Sequence, residues 1–120
     1  MADPLMVTDD LIRTRQQIFQ QPDWPMACEM NMALQDMEVR RRNMLSDDDL
    51  RAIEAEALVM WTTKDPSGPV DEGRRIASLI PNARFAVIEE AGHWPQYEQP
   101  DTFNRIHLDF LLGRAERAGA

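Results

Sequence analysis

Two apolar runs of strand length, separated by one helix, constrain this chain most. "ALVMW", Ala57 to Trp61, is apolar without interruption, as a strand covered on both faces of a parallel sheet is. "RFAVIEE", Arg84 to Glu90, is the second run. Between them, "TTKDPSGP" reads as a loop. "VDEGRRIASLIP" reads as a helix with Ile76, Leu79 and Ile80 turned inward and Pro81 and Asn82 as its stop. Strand, helix and strand in that order make a right-handed parallel crossover. "AGHWPQYEQP" then forms a loop. "DTFNRIHLDFLLG" closes as a helix, with Phe103, Ile106, Phe110 and Leu111 on one face and Gly113 at its end. Residues 56–120 are therefore predicted to be an α/β unit, β-α-β-α with two parallel strands. Two such strands are a fragment of a sheet, and each leaves an edge unpaired. The chain is expected to belong to a larger sheet or to assemble with another chain.

Residues 1–55 carry a helical period instead. "TDDLIRTRQQIFQQ" has Thr8 as N-cap and Asp9 and Asp10 in the first turn, with Leu11, Ile12, Ile18 and Phe19 near one face. "QPDWP" breaks that helix, and "PMACEMNMALQDMEVRRRN" reads as a second one with Pro25 in its first turn. "LSDDDLRAIEA" is a short third helix capped by Ser46. Large aliphatic residues are too few here for a substantial core. Met26, Met30, Met32 and Met37 make an adaptable apolar surface, either packed inward or facing a substrate as a lid.

Composition excludes several classes. The formal net charge of -8 argues against nucleic acid as a partner, and the basic run "VRRRN" reads as a solvated helix face among acidic neighbours. A single cysteine, Cys28, rules out an intramolecular disulfide framework and points to reducing cytoplasm. No apolar run approaches the roughly 20 residues that span a bilayer, so no membrane association is expected. The first residues, "MADPLMVTDD", lack the basic start and apolar core of a signal peptide. Neither a glycine-rich phosphate loop nor Cys/His metal spacing occurs, so no metal is expected.

In doubly wound sheets, reactive groups collect at the C-terminal ends of the strands. Asp65 lies just past the first strand and His93 just past the second. A carboxylate bonded to one imidazole nitrogen fixes the tautomer and leaves the other nitrogen as a base. Asp65 and His93 thus have the types, order and position of two members of a catalytic triad. Asp65 before Pro66 is equally ordinary turn chemistry, and a loop histidine can be merely solvated. His107, inside the last helix, reads as a packing or surface residue. The third member is missing. Ser46, Ser67 and Ser78 stand outside any G-x-S-x-G elbow, and no H-G-G-G-type oxyanion segment is present.

The stretch from "ALVMWTTKDPSGPV" through "IPNARFAVIEEAGHWPQYEQPDTFNRIHLDFL" resembles the C-terminal end of an α/β-hydrolase. "GHWPQYEQPDTFN" narrows the resemblance to the meta-cleavage product hydrolases, which break carbon–carbon bonds in 2-hydroxy-6-oxo-dienoates from aromatic ring cleavage and use no cofactor. "TDDLIRTRQ" is similar to the lid segment that carries their substrate-binding arginine. The resemblance implies a partial α/β-hydrolase fold, with a helical lid segment over 1–55 and the C-terminal part of the core over 56–120. It makes Asp65 the triad acid, His93 the base, Arg15 the partner of the substrate carboxylate, Trp94 a pocket wall and Val70 an apolar lining residue. The serine and oxyanion hole of the family have no counterpart here, so the chain is expected to be truncated and inactive alone. It would act as a homo-oligomer or by pairing with a missing N-terminal half. Two other readings stand beside this one. The first is a non-enzymatic truncated paralogue that self-assembles. The second is a small esterase with an unrecognised nucleophile, Cys28 or Ser67.

Overall fold

The structure is a computed structural model that describes residues 1–114. Residues 115–120, the end of the segment read as hydrolase core, lie outside the described residues. Strand β1 (Ala57–Thr62) pairs in parallel with β2 (Ala83–Ile88), in register from Ala57 opposite Ala83 to Thr62 opposite Ile88. Helix α5 (Val70–Leu79) makes the crossover between them. Because the strands end level, the loops that leave Thr62 and Ile88 emerge side by side. Among the described residues the sheet has only these two strands. β1 is therefore half-buried over most of its length, where a strand covered on both faces was expected.

Helix α5 starts after Pro69 with Asp71 and Glu72 in its first turn, where acidic groups complement the exposed amides. It ends where Ile80 turns extended ahead of Pro81. Gly73 lies in its interior, where glycine normally costs stability. The Trp61 ring explains it. A Cβ on Gly73 would stand 2.6 to 2.9 Å from three atoms of that ring. The indole N–H of Trp61 also donates to the Gly68 carbonyl at 3.0 Å, which ties the loop after β1 to the strand. Ile80, Ala86, Ile88 and Ala91 form the buried centre of this unit, and Leu50 is buried with them.

Leu50 belongs to α4 (Asp47–Arg51), which packs on α5. Asp47 pairs with Arg75 at 2.9 Å, and the Asn82 amide donates to the Glu54 carbonyl at 2.8 Å. The chain accordingly forms two compact units. One holds Met1–Met6 and everything from Asp47 on, and the other is Val7–Ser46. The two compact units divide between Ser46 and Asp47, where the Asp47–Arg75 ion pair and buried Leu50 tie α4 to α5. A short 3-10 turn, Pro4–Met6, also belongs to the sheet unit, and the Tyr97 hydroxyl donates to the Met6 carbonyl at 3.2 Å.

Within Val7–Ser46, α1 (Asp9–Phe19) is capped by Thr8, whose hydroxyl oxygen accepts the Leu11 amide hydrogen. The single helix expected over 25–43 is two. α2 (Trp24–Ala33) stops, and Asp36 accepts the amides of Glu38 and Val39 to start α3 (Met37–Asn43). A short carboxylate that satisfies two amides offers the backbone an alternative to continuing the helix. No residue of α1, α2 or α3 is buried.

In the sheet unit a one-turn helix, α6 (Pro95–Glu98), leads into α7 (Pro100–Leu111). Phe103, Ile106 and Phe110 are half-buried as expected, whereas Leu111 is 70% exposed. It sits one residue, about 100° round the helix, beyond Phe110 and off the inward stripe. Gly113 adopts a left-handed φ of 62° and ends the helix.

The Trp61–Gly73 contact yields a test. Gly73→Ala should destabilise the fold by about 1–3 kcal/mol through overpacking. A thermal melt should show Tm lowered by several degrees, and an unchanged or raised Tm would show that the ring yields freely.

Candidate active site

The two loops leaving the sheet are laced together before any reactive side chain is considered. The Thr63 amide donates to the Ile88 carbonyl at 3.2 Å and the Lys64 amide to the Ala91 carbonyl at 3.0 Å. The Glu90 amide donates back to the Thr63 hydroxyl at 3.0 Å, with Glu90 in a left-handed φ of 58°. Thr62, 3% exposed, donates its hydroxyl hydrogen to the Gly92 carbonyl at 2.8 Å. These bonds carry the level ends of β1 and β2 forward into the loops.

Their result is a close pair. His93 Nδ1 lies 3.1 Å from Asp65 Oδ1 and 3.3 Å from Oδ2. For this contact to be a hydrogen bond to a carboxylate, Nδ1 carries the proton, and Nε2 is left as the basic nitrogen. The Asp65 side chain is largely covered while that of His93 is 58% exposed. The Ser67 amide and hydroxyl both donate to Asp65 Oδ1, at 2.8 and 2.6 Å. Asp65 thus makes the expected aspartate–proline turn and faces the imidazole with the same carboxylate. Burial by itself would raise the Asp65 pKa. The Ser67 bonds and His93 outweigh it and hold the carboxyl below its ordinary value of 3.8.

Ser67 stands on the acid side of the imidazole, and its hydroxyl hydrogen is committed to Asp65. A nucleophile served by His93 would instead approach Nε2. Trp94 and Val70 are both half-buried, at the N-cap of α6 and the first position of α5. Arg15 and Cys28 belong to the other unit. Arg15 lies on α1 with its guanidinium 5.8 Å from the centre of the Phe19 ring, and Cys28 is exposed on α2. His107 packs edge-on against Phe103 with ring centres 4.8 Å apart. Among the described residues no group of three His, Cys, Asp or Glu side chains is placed to hold a metal ion.

Sequence reasoning overlooked Glu98. Its side chain is 1% exposed. Oε2 accepts the amides of Gly92 at 3.0 Å and Ala2 at 2.6 Å, Oε1 accepts the Trp94 amide at 3.1 Å, and the Met1 amino group is 4.0 Å from Oε1. Burial would raise this carboxyl too. The three amides and the amino charge prevail and lower it from 4.5. One signal was available. Pro95 opens a helical turn just after Trp94, and a glutamate one turn on can reach back to the free amide at the helix start. Gly92 is required beside it, since a Cβ there would stand 2.8 Å from the Ala2 nitrogen and 3.2 Å from Glu98 Oε1.

A parallel β-α-β unit with an aspartate and a histidine meeting at its C-terminal rim fits the C-terminal part of an α/β hydrolase. The chain belongs to the α/β hydrolase fold family, which it matches over residues 7–100. It is 47% identical over 62 residues to 2-hydroxy-6-oxononadienedioate/2-hydroxy-6-oxononatrienedioate hydrolase 1 of Pseudomonas putida, covering 52% of this chain and 22% of that protein. It is 32% identical over 111 residues to 2-hydroxy-6-oxo-6-phenylhexa-2,4-dienoate hydrolase of Burkholderia cepacia, covering 92% of this chain and 38% of that one. Among solved structures it is similar to the meta-cleavage product hydrolase CumD from Pseudomonas fluorescens IP01, with a TM-score of 0.76 and 29% identity over 93% of this chain and 41% of that one. The chain therefore spans well under half the length of these relatives. Among the described residues no helix is long and apolar enough to cross a membrane.

The two lowered carboxyls contribute to the acid stability. Each contributes fully above its ordinary value, 3.8 for Asp65 and 4.5 for Glu98, and loses that contribution as pH falls through its lower folded value. The urea midpoint should stay level down to about pH 5 and fall below it, less steeply in Asp65→Asn or Glu98→Gln. A midpoint that rises on acidification would contradict this.

Proposed function

We propose that this chain carries the acid–base pair and part of the substrate site of a hydrolase that cleaves carbon–carbon bonds in meta-ring-cleavage products, 2-hydroxy-6-oxo-dienoates. The observation that carries the proposal is the contact between His93 Nδ1 and Asp65 at the level ends of two parallel strands. In this reading Nε2 of His93 takes the proton from a serine or a water and shuttles protons during dienol ketonisation and cleavage. Asp65 orients the ring and stabilises the imidazolium that forms. Arg15 pairs with the substrate carboxylate, Trp94 walls the pocket, and Val70 lines its apolar side. Support comes from relatives that are themselves named as dienoate hydrolases.

The residues of this chain contain no nucleophile elbow and no H-G-G-G-type segment. A base without its nucleophile and oxyanion donors retains little catalysis, so the chain by itself is silent. A second reading, an assembly module, is favoured by one observation: the two-stranded sheet leaves both outer edges open among the described residues. Light scattering over a concentration series separates them, because a module gives a stable dimer with no activity when supplied with a hydrolase core.

Supplied in trans with the N-terminal remainder of one of its relatives, the chain should restore hydrolysis of 2-hydroxy-6-oxo-6-phenylhexa-2,4-dienoate, followed by loss of the dienolate absorbance. His93→Ala should abolish that activity and Asp65→Asn should lower it roughly ten-thousand-fold. Restored turnover that survives His93→Ala would sink the assignment. Turnover by the chain alone, lost on His93→Ala, would refute its silence.

A further inference from the structure

His93 projects a ring that is 58% exposed and whose polar partner is Asp65. A side chain with that exposure is aimed less by packing than by its bond to Asp65 and by the backbone that carries it. Each peptide is a rigid plane, and His93 Cα joins two of them. The plane before it contains the Gly92 carbonyl, which accepts from Thr62 at 2.8 Å. The plane after it contains the Trp94 amide, which donates to Glu98 at 3.1 Å. The Gly92 amide, one plane earlier, donates to the same carboxylate at 3.0 Å. With the planes on either side of His93 held, both backbone dihedrals at His93 are fixed.

We propose that Glu98 is a positioning residue for the acid–base pair. By accepting the amide hydrogens of Gly92 and Trp94, it fixes the backbone of His93 in the place from which the imidazole can set Nδ1 against Asp65 and leave Nε2 outward. This inference rests on the reading of Asp65 and His93 as base and orienting acid. The chemistry selects a carboxylate. Glu98 receives three amide hydrogens and is 5% exposed, and an ionised carboxylate supplies acceptors on both oxygens with no donor of its own. A glutamine in its place would turn an NH2 group toward at least one amide hydrogen. A buried charge is retained only when such bonds compensate its lost hydration. Thr62 assists from the opposite side, so the loop is gripped between the end of β1 and the end of α6.

The test is NMR on the full chain, labelled with 15N, as wild type, Asp65→Asn, Glu98→Gln and Glu98→Asp. His107 serves as the internal reference. Long-range proton–nitrogen correlations report which ring nitrogen carries the proton. Neutral His93 in the wild type should hold it on Nδ1, and Asp65→Asn should remove that preference. Glu98→Gln should also yield a mixture of tautomers, with the Gly92 and Trp94 amides exchanging at least about tenfold faster, as expected on losing a hydrogen bond to a charged group. Glu98→Asp, which keeps the charge one methylene shorter, should fall between. Faster exchange with the wild-type tautomer intact would mean that Glu98 only caps a turn, and would overturn the proposal while leaving the acid–base reading standing. A wild-type His93 without Nδ1 preference would overturn that reading and this one together. Should both Glu98 variants fail to fold, exchange in the wild type decides: protected Gly92 and Trp94 amides support the clamp, and unprotected ones refute it.

Discussion

The level ending of β1 and β2 is the constraint on which everything else depends. A parallel ladder that runs from Ala57 opposite Ala83 to Thr62 opposite Ile88 releases both loops at one height. The hydroxyls of Thr62 and Thr63 and the amide of Lys64 then join the loops bond by bond. A slip of one residue would turn every side chain of a strand to the other face, so the register also decides that Thr62 points inward to Gly92. Asp65 and His93 meet because the ladder and the lacing leave them little other choice.

Two carboxylates sit within this small framework and are handled differently. Asp65 faces its loop turn on one side and the imidazole on the other, so it can respond when the ring becomes charged. Glu98 is closed in by the amides of Ala2, Gly92 and Trp94, with the Met1 amino group beyond them. Both are held below their ordinary values because donated hydrogen bonds outweigh burial.

Much of this arrangement was legible in the residues. The apolar runs, the crossover helix and the order Asp65 then His93 follow from periodicity and from where parallel strands place their loops. The rest was hidden for particular reasons. Glu98 sits in a polar stretch, where a charged residue reads as solvated by default, and only the packing of Gly92, Ala2 and Trp94 shows it buried. Gly73 reads as a weakness in a helix until the Trp61 ring is placed against it. The break at Asp36 carries neither proline nor glycine, so the helical period runs through it undisturbed. Asp47 to Arg51 reads as a short helix of the N-terminal helical half, and its partner Arg75 lies far along the chain. Apart from the break at Asp36, which its own carboxylate makes locally, these misses share a cause, since each depends on a tertiary neighbour and local pattern has no access to it.

The spacing of the bonds has a consequence for how such a site comes together. Thr63–Glu90, Asp65–His93 and Thr62–Gly92 span 27, 28 and 30 residues, whereas Ala2–Glu98 spans 96. Closing the shorter loops costs roughly 1 kcal/mol less chain entropy than closing the longest. The Asp65–His93 pair and the bonds that lace its two loops are thus encoded in one contiguous supersecondary segment, assembled by contacts of moderate sequence separation. A segment of that kind can be carried as a cassette, with its geometry written into a single crossover.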